Sequence, residues 1–365
     1  MTRRSSRLVG GSLVVLAMLA AGCGGGAPRA GRTPPPSPAA DSSPHATPST
    51  GAARVTPIRL AFAGDIHFEG ASERALDGFG PITSTLRDAD LTMANLETAI
   101  TTRGTATAGK AFTFRAPPSA FGALRHAGID VVTMANNHGL DYGPVGLADT
   151  LSAIRSTGFP TVGIGRNEAQ AYRPYVTTVK GTRIAIVAAT DVIDSNLMST
   201  WTASGSHAGL ASAIGSSRGR LETEVRRARR NDDVVVVYLH WGTETVDCAT
   251  AEQESLSAEL LRAGATVVVG SHAHVQLGGG WQGRRFVDYG LGNFVFYATG
   301  GVTPETRSGV LTLTLVGRSV TKARWSPAII EDGLPMPLHG AAASAGRSQW
   351  ESLRHCTDLS ATPDQ

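Results

Sequence analysis

The chain has 365 residues, 41% of them hydrophobic, and a formal net charge of +3. That apolar share is enough for one large globular domain or two modest ones. The near balance of charge, with Arg3, Arg4 and Arg7 in the first seven residues and no basic stripe interleaved with aromatics in the body, speaks against nucleic acid as a partner.

The three arginines precede an apolar stretch from Leu8 to Ala21, too short to cross a bilayer as a helix and suited to the h-region of an export signal. It closes on Leu19-Ala20-Ala21-Gly22-Cys23, which resembles a bacterial lipobox with Ala20 where Leu is more usual. Residues 1–22 then read as a signal peptide and Cys23 as the lipidated first residue of the mature protein, on the outer face of the cell membrane. The alternative is cleavage near Ala21 with an incidental cysteine, and Arg3-Arg4 also hints at twin-arginine export. Residues 23–54 are Gly, Pro, Ala, Ser and Thr without a large apolar side chain. Such a segment cannot offset its ordering entropy by burial, so it reads as a disordered tether.

From Ile58 the chain alternates strands with helices. Ile58 opens an apolar run ending at Gly64-Asp65-Ile66-His67, and Ala89 to Asn95 and Ile129 to Ala135 read as further strands. Pro117 and Pro118 open a helix carrying Phe121 and Leu124 that Gly128 closes. Leu147, Leu151 and Ile154 recur at helical spacing before Gly158. Arg183 to Ala189, Val234 to Leu239 and Thr266 to Gly270 are strands, the last two joined by a helix from Glu252 to Ala263. From Arg285 the pattern turns to short strands and hairpins. Mixed βα units followed by hairpins favour an α/β (α+β) fold of two packed sheets with helices outside, in one domain over residues 55–330. Residues 331–365 read as a loosely packed tail with one short helix-like piece around Trp350 to His355, ordered chiefly if Cys356 is bridged. Cys248 and Cys356 can pair outside the cytoplasm or remain thiols; a disulfide closing so long a loop gives roughly 4 to 5 kcal/mol in the chain-entropy model.

The chemistry gathers where strands end. Asp65-x-His67 alone is a turn Asp beside a surface His, but later strands run into Asn95-Leu96-Glu97, Asn136-Asn137-His138, His240-Trp241-Gly242 and Ser271-His272-Ala273-His274. Five of the ten histidines therefore lie close beyond a strand, where open α/β sheets form their ligand crevice. Imidazoles and carboxylates converging on one point are the donors of a divalent metal.

These motifs, with Asp141-Tyr142-Gly143, His240-Trp241-Gly242-x-Glu244 and Leu291-Gly292-Asn293-Phe294, stand in the order seen in the CapA family of capsule (poly-γ-glutamate) synthesis proteins, itself similar to calcineurin-like metallophosphoesterases. The resemblance spans about residues 58–297. It implies a four-layer α-β-β-α sandwich of the metallophosphoesterase type, two mixed sheets with helices outside, and a two-metal site at the sheet edge. Carried over residue by residue, Asp65, His67 and His274 resemble the ligands of one metal, and Asn137, His240 and His272 those of the other. His138 falls at the place of a general acid. The superfamily bridges its metals with an Asp where this chain offers Asn95 and Glu97: either Glu97 bridges, or the second metal is weak or absent. Asn95, Asn136, Asp141, Glu244 and Asn293 are candidates for supporting the ligands or touching substrate, each with a turn or loop role as the alternative. Trp241 reads as a wall of the cleft, and Arg226, Arg227, Arg229 and Arg230 as a solvated helix end.

The resemblance implies metal-dependent hydrolysis of a phosphoester or polymer bond. Two divalent ions, Mn, Fe or Zn, would activate water while His138 protonates the leaving group. The other reading is a tethered, non-catalytic assembly factor that binds an anionic extracellular polymer within a capsule-synthesis complex.

Overall fold

The computed structural model describes residues 56–297 and 301–364; Cys23 and the stretches expected to be an export signal and a tether lie outside the described residues. In chain order the strands of the two main sheets are β1 (Ile58–Ile66), β2 (Leu91–Leu96), β3 (Val131–Thr133), β4 (Thr161–Val162), β5 (Tyr175–Val179), β6 (Thr182–Thr190), β7 (Val234–Trp241), β8 (Val267–His272), β9 (Gly279–Gln282), β10 (Arg285–Asp288), β11 (Asn293–Val295), β12 (Arg307–Val316), β13 (Ser319–Glu331) and β14 (Leu334–Pro337). The long helices are α1 (Ala120–Ala127), α2 (Gly143–Thr157), α3 (Ser217–Asn231), α4 (Ala251–Ala263) and α5 (Gly340–Ser352).

The eight-stranded sheet runs β14-β13-β12-β1-β2-β3-β4, with β11 parallel to the end of β1. The six-stranded sheet runs β9-β10-β8-β7-β6-β5. The runs β1-β2-β3-β4 and β6-β7-β8-β10 are parallel, β4 forming one edge of its sheet, and the other three edges are antiparallel. Period-two alternation explains the layering. Leu60, Phe62, Val234, Val236, Tyr238, Val267 and Val269 meet in a core between the sheets. Their neighbours Ala61 and Ala63 face a second core with Phe121, Leu124 and Leu147 of α1 and α2. Val235, Val237 and Val268 face a third with Leu221, Val225, Leu256 and Leu260 of α3 and α4. Helices thus cover both outer faces, the expected α-β-β-α order. Local signals set the helix ends: Thr250 and Gln253 form a capping box at α4, and Gly128 ends α1 at φ +92°.

One expected boundary is corrected. Residue 330 falls inside β13, β14 adds the next strand, and α5 follows, so residues 331–364 belong to the same compact unit. Buried Trp350 of α5 stacks on Trp325 of β13, ring centroids 5.5 Å apart and 6° from parallel. Cys248 and Cys356 are joined as a disulfide, with Cα atoms 5.3 Å apart. Among the described residues no helix is long and apolar enough to cross a membrane.

Candidate metal centre

The site stands where β1, β2 and β3 of one sheet and β7 and β8 of the other end side by side. Register brings Asp65 opposite Asn95 and Asn293, and His240 opposite Ser271. Gly64 makes the first approach: a Cβ there would lie 1.8 Å from the carbonyl oxygen of Gly292, so only glycine lets β1 reach the turn before Asn293.

Asp65 is fully buried, its Oδ1 accepting from Asn95 Nδ2 at 2.8 Å and its Oδ2 from the backbone N–H of His272 at 3.1 Å. His274 Nδ1 lies 3.6 Å from Asp65 Oδ2 and 2.9 Å from Asn293 Oδ1. Asn95 is the hub, donating also toward His240 Nδ1 at 3.1 Å and accepting from Asn136 Nδ2 at 2.9 Å. Asn136 in turn takes the backbone N–H of His138 on its Oδ1 at 3.0 Å. His240 Nε2 faces Asn137 Oδ1 at 2.8 Å and Glu97 Oε1 at 3.4 Å. The His-x-His turn is strained, with φ +97° at His272 and +58° at His274, a cost that residues tend to bear at functional sites.

Glu97 is the informative group. It is fully buried, and neither carboxylate oxygen has a hydrogen-bond partner; His272 Nδ1 is likewise unpartnered. A buried carboxylate left bare costs several kcal/mol, on the order of the Born penalty after relaxation. Burial, with Asp65 nearby, pushes Glu97 well above the usual carboxylate range, and burial raises Asp65 too. Burial holds His240 far below the ordinary imidazole range and His272 at about 3. His240 and His272 are thus neutral, the form that ligates, while Lys110 near Glu97 and His274 near Asp65 supply less positive charge than would keep the buried carboxyls ionised. A divalent cation supplies that charge, so the donor set fits one. Ligand atoms within 4.8 Å of one another form three overlapping groups: Glu97, His240 and His272; Glu244, His272 and His274; and Asp65, Glu97 and His274.

His67 stands apart from these groups. Its Nδ1 meets the Glu69 N–H at 3.1 Å and Ser72 Oγ at 3.0 Å, and its ring stacks on Phe114 at 4.4 Å beside Phe296 and Tyr297. Trp241 is no cleft wall: it is buried in the core facing α3 and α4, its indole N–H donating to the Tyr289 carbonyl at 2.9 Å. Parity along β7 dictates this, since residue 241 shares the face of Val235 and Val237. Glu244 is exposed at the cleft rim.

His138 Nδ1 is 2.6 Å from Asp141 Oδ2, and its Nε2 points toward Glu97 Oε1 at 3.9 Å. Asp141 also accepts from the Phe114 N–H at 2.7 Å and from Lys110 Nζ at 2.7 Å. Lys110 reaches the Asn137 carbonyl as well, and its ammonium lies 4.8 Å over the Trp201 ring. Sequence reasoning missed Lys110 and Phe114, which arrive on a loop without periodicity. A cleft of about 470 Å³ opens over the site, lined by Lys110, Phe112, Asn137, His138, Asn196 and Glu244.

Comparisons agree with this geometry. Residues 59–298 match the family model described as "Bacterial capsule synthesis protein PGA_cap". The chain is 30% identical over 223 residues to the capsule biosynthesis protein CapA of Bacillus anthracis, covering 60% of this chain and 52% of that protein, so it spans about half of that relative's length. It is 25% identical over 289 residues to the PGA biosynthesis protein CapA of Bacillus subtilis, covering 77% of this chain and 74% of the relative. Among solved structures, a phosphatase from Mycoplasma pneumoniae superposes with a TM-score of 0.50 at 14% identity, covering 75% of this chain and 94% of the other, a likeness of fold alone. With a metal-ready sheet edge inside a segment that the family model covers nearly from β1 to β11, the chain belongs to the bacterial capsule synthesis protein (PGA_cap) family.

Proposed function

We propose that the protein is a metal-dependent hydrolase of the cell surface, tethered through Cys23, that acts on a phosphoester or on a bond within an anionic capsular polymer. The observation that carries this reading is the Glu97 carboxylate, buried and bare on both oxygens among His240, His272 and Asp65. Asp65, Glu97, Asn137, His240, His272 and His274 would hold two divalent ions, for which Mn, Fe and Zn all suit the nitrogen and oxygen donors. Bound there, the ions supply a lowered pKa for water and positive charge for a developing oxyanion.

The chain's own residues supply the rest. Asn95 orients both Asp65 and His240 through one amide. Asp141 anchors His138 Nδ1, leaving Nε2 toward the cleft to hand a proton to the leaving group. Phe114 and Trp201 wall in this acid and its Lys110 neighbour, keeping bulk water from the exchange. The relatives' descriptions as capsule biosynthesis and PGA biosynthesis proteins support a setting in a capsule-synthesis complex.

The test is hydrolysis of a generic phosphodiester by metal-loaded protein, beside His138→Ala and Asp65→Ala. A loss of about 10²-fold or more in His138→Ala, at unchanged metal content, is expected for a general acid. Turnover unchanged in both variants would sink the hydrolytic reading. A folded chain that binds no metal would favour the non-catalytic assembly factor instead.

A further inference from the structure

Beside α2, two hollows meet. The first is a groove of about 720 Å³ walled by Leu140, Pro144, Leu147, Leu151, Leu197 and Trp201. The second, about 410 Å³, shares Leu151, Arg155 and Arg166 with the first and adds Arg173. Both volumes fall in the range of small-molecule sites. No Asp or Glu lines either hollow. Arg155 donates to Ser152 Oγ at 3.1 Å and Arg166 to Gln170 Oε1 at 3.3 Å, and among the described residues neither forms an ion pair. Glu168, the carboxylate nearest Arg166 in sequence, is turned toward Arg220 at 3.8 Å, and Asp149, the nearest to Arg155, pairs with Arg103.

This arrangement selects its ligand. A neutral lipid would fill the apolar groove and leave the guanidiniums without a partner. A polyanion would need cations along its whole path, and most of the groove is hydrocarbon. An apolar chain ending in one anionic head satisfies both parts, because guanidinium pairs bidentately with phosphate or carboxylate.

We infer that this groove is a binding site for a single-chain anionic amphiphile, its chain along Leu147, Leu151 and Trp201 and its head between Arg155 and Arg166. The site is independent of the hydrolytic reading, although Leu197 lines both the groove and the metal cleft.

Calorimetric titration of the full chain with dodecyl phosphate, dodecanoate, dodecyl maltoside and inorganic phosphate, each below its micellar concentration, tests this. The expected result is saturable binding of one charged amphiphile per chain, about tenfold or more tighter than either the maltoside or inorganic phosphate. Preference for dodecyl phosphate assigns a phosphate head, and preference for dodecanoate assigns a carboxylate. Arg155→Ala with Arg166→Ala, and separately Leu151→Gln, should each weaken binding about tenfold. Arg226→Ala with Arg230→Ala, on α3, should leave it unchanged. Equal binding of the maltoside, inorganic phosphate binding as tightly as the amphiphiles, or an equal loss in the α3 variant would overturn the site.

Discussion

Lys110 places its ammonium against Asp141 in a setting where both side chains are almost fully excluded from water, 6% and 0% exposed. A buried ion pair is weak evidence of net stability, but removing one partner strands the other charge at a cost of about 3–5 kcal/mol. Lys110→Met should therefore lower the urea-unfolding free energy by about that amount. Lys110→Met with Asp141→Asn should recover most of it, and a double-variant loss equal to the sum of the two single losses would show that no coupling exists. Asp288, fully buried on β10, offers a cleaner pH test. Burial pushes it up to about 7, with the Gly290 N–H at 3.2 Å and the Trp350 indole pulling back. Between about pH 4 and about 7 the folded chain keeps a proton that the unfolded chain has lost, so this group's contribution to stability falls as pH rises, by about 1.4 kcal/mol per unit. Asp288→Asn removes that slope. Its stability relative to the parent should rise by about 2 kcal/mol from pH 5 to pH 7, and a pH-independent difference would refute the assignment.

At the scale of elements, the strands that carry the site were legible because each is an apolar run halted by a polar cluster, and a parallel strand delivers whatever follows it to one edge. His240 and His272 are found this way. Lys110 was not, because its loop has neither run nor period and its partner lies far off in sequence. The face of Trp241 was legible and went unread, since counting alternate residues from Val235 puts it with the helices. Helix α5 was legible only near its end, at Trp350: its Ala, Gly and Ser residues give no apolar stripe, and it buries Ala343 and Trp350, the latter anchored by stacking on Trp325. That anchor makes its order independent of the disulfide. Cys248→Ser with Cys356→Ser should lower unfolding free energy by about 2–5 kcal/mol. Limited proteolysis should nevertheless leave residues 340–352 protected in that variant, and should cut them in Trp350→Ala with the disulfide intact. Cleavage there on reduction alone would restore the tail to a bridge-dependent segment.

For the whole molecule, the metal centre is the seam between two sheets that otherwise meet through hydrocarbon. Tyr238 of one sheet donates to the Ala63 carbonyl of the other at 2.9 Å just beneath it, and the His272 N–H reaches across to Asp65. Above this seam Asp65 and Glu97 from the first sheet oppose His240, His272 and His274 from the second. Burying these two carboxyls together opposes folding, and a bound cation would offset that cost. Ions that bind only the folded chain stabilise it by mass action, about 2.7 kcal/mol at a hundredfold excess over the dissociation constant. Chelation should therefore lower the melting temperature at pH 8, and Mn²⁺ or Zn²⁺ should restore it. Glu97→Gln separates this from a merely structural carboxylate. Relieved of its buried charge, the metal-free variant should melt no lower than the metal-free parent, yet lose most of the rise on adding metal. A variant that melts lower without metal but responds to it in full would mean that Glu97 serves packing rather than the cation.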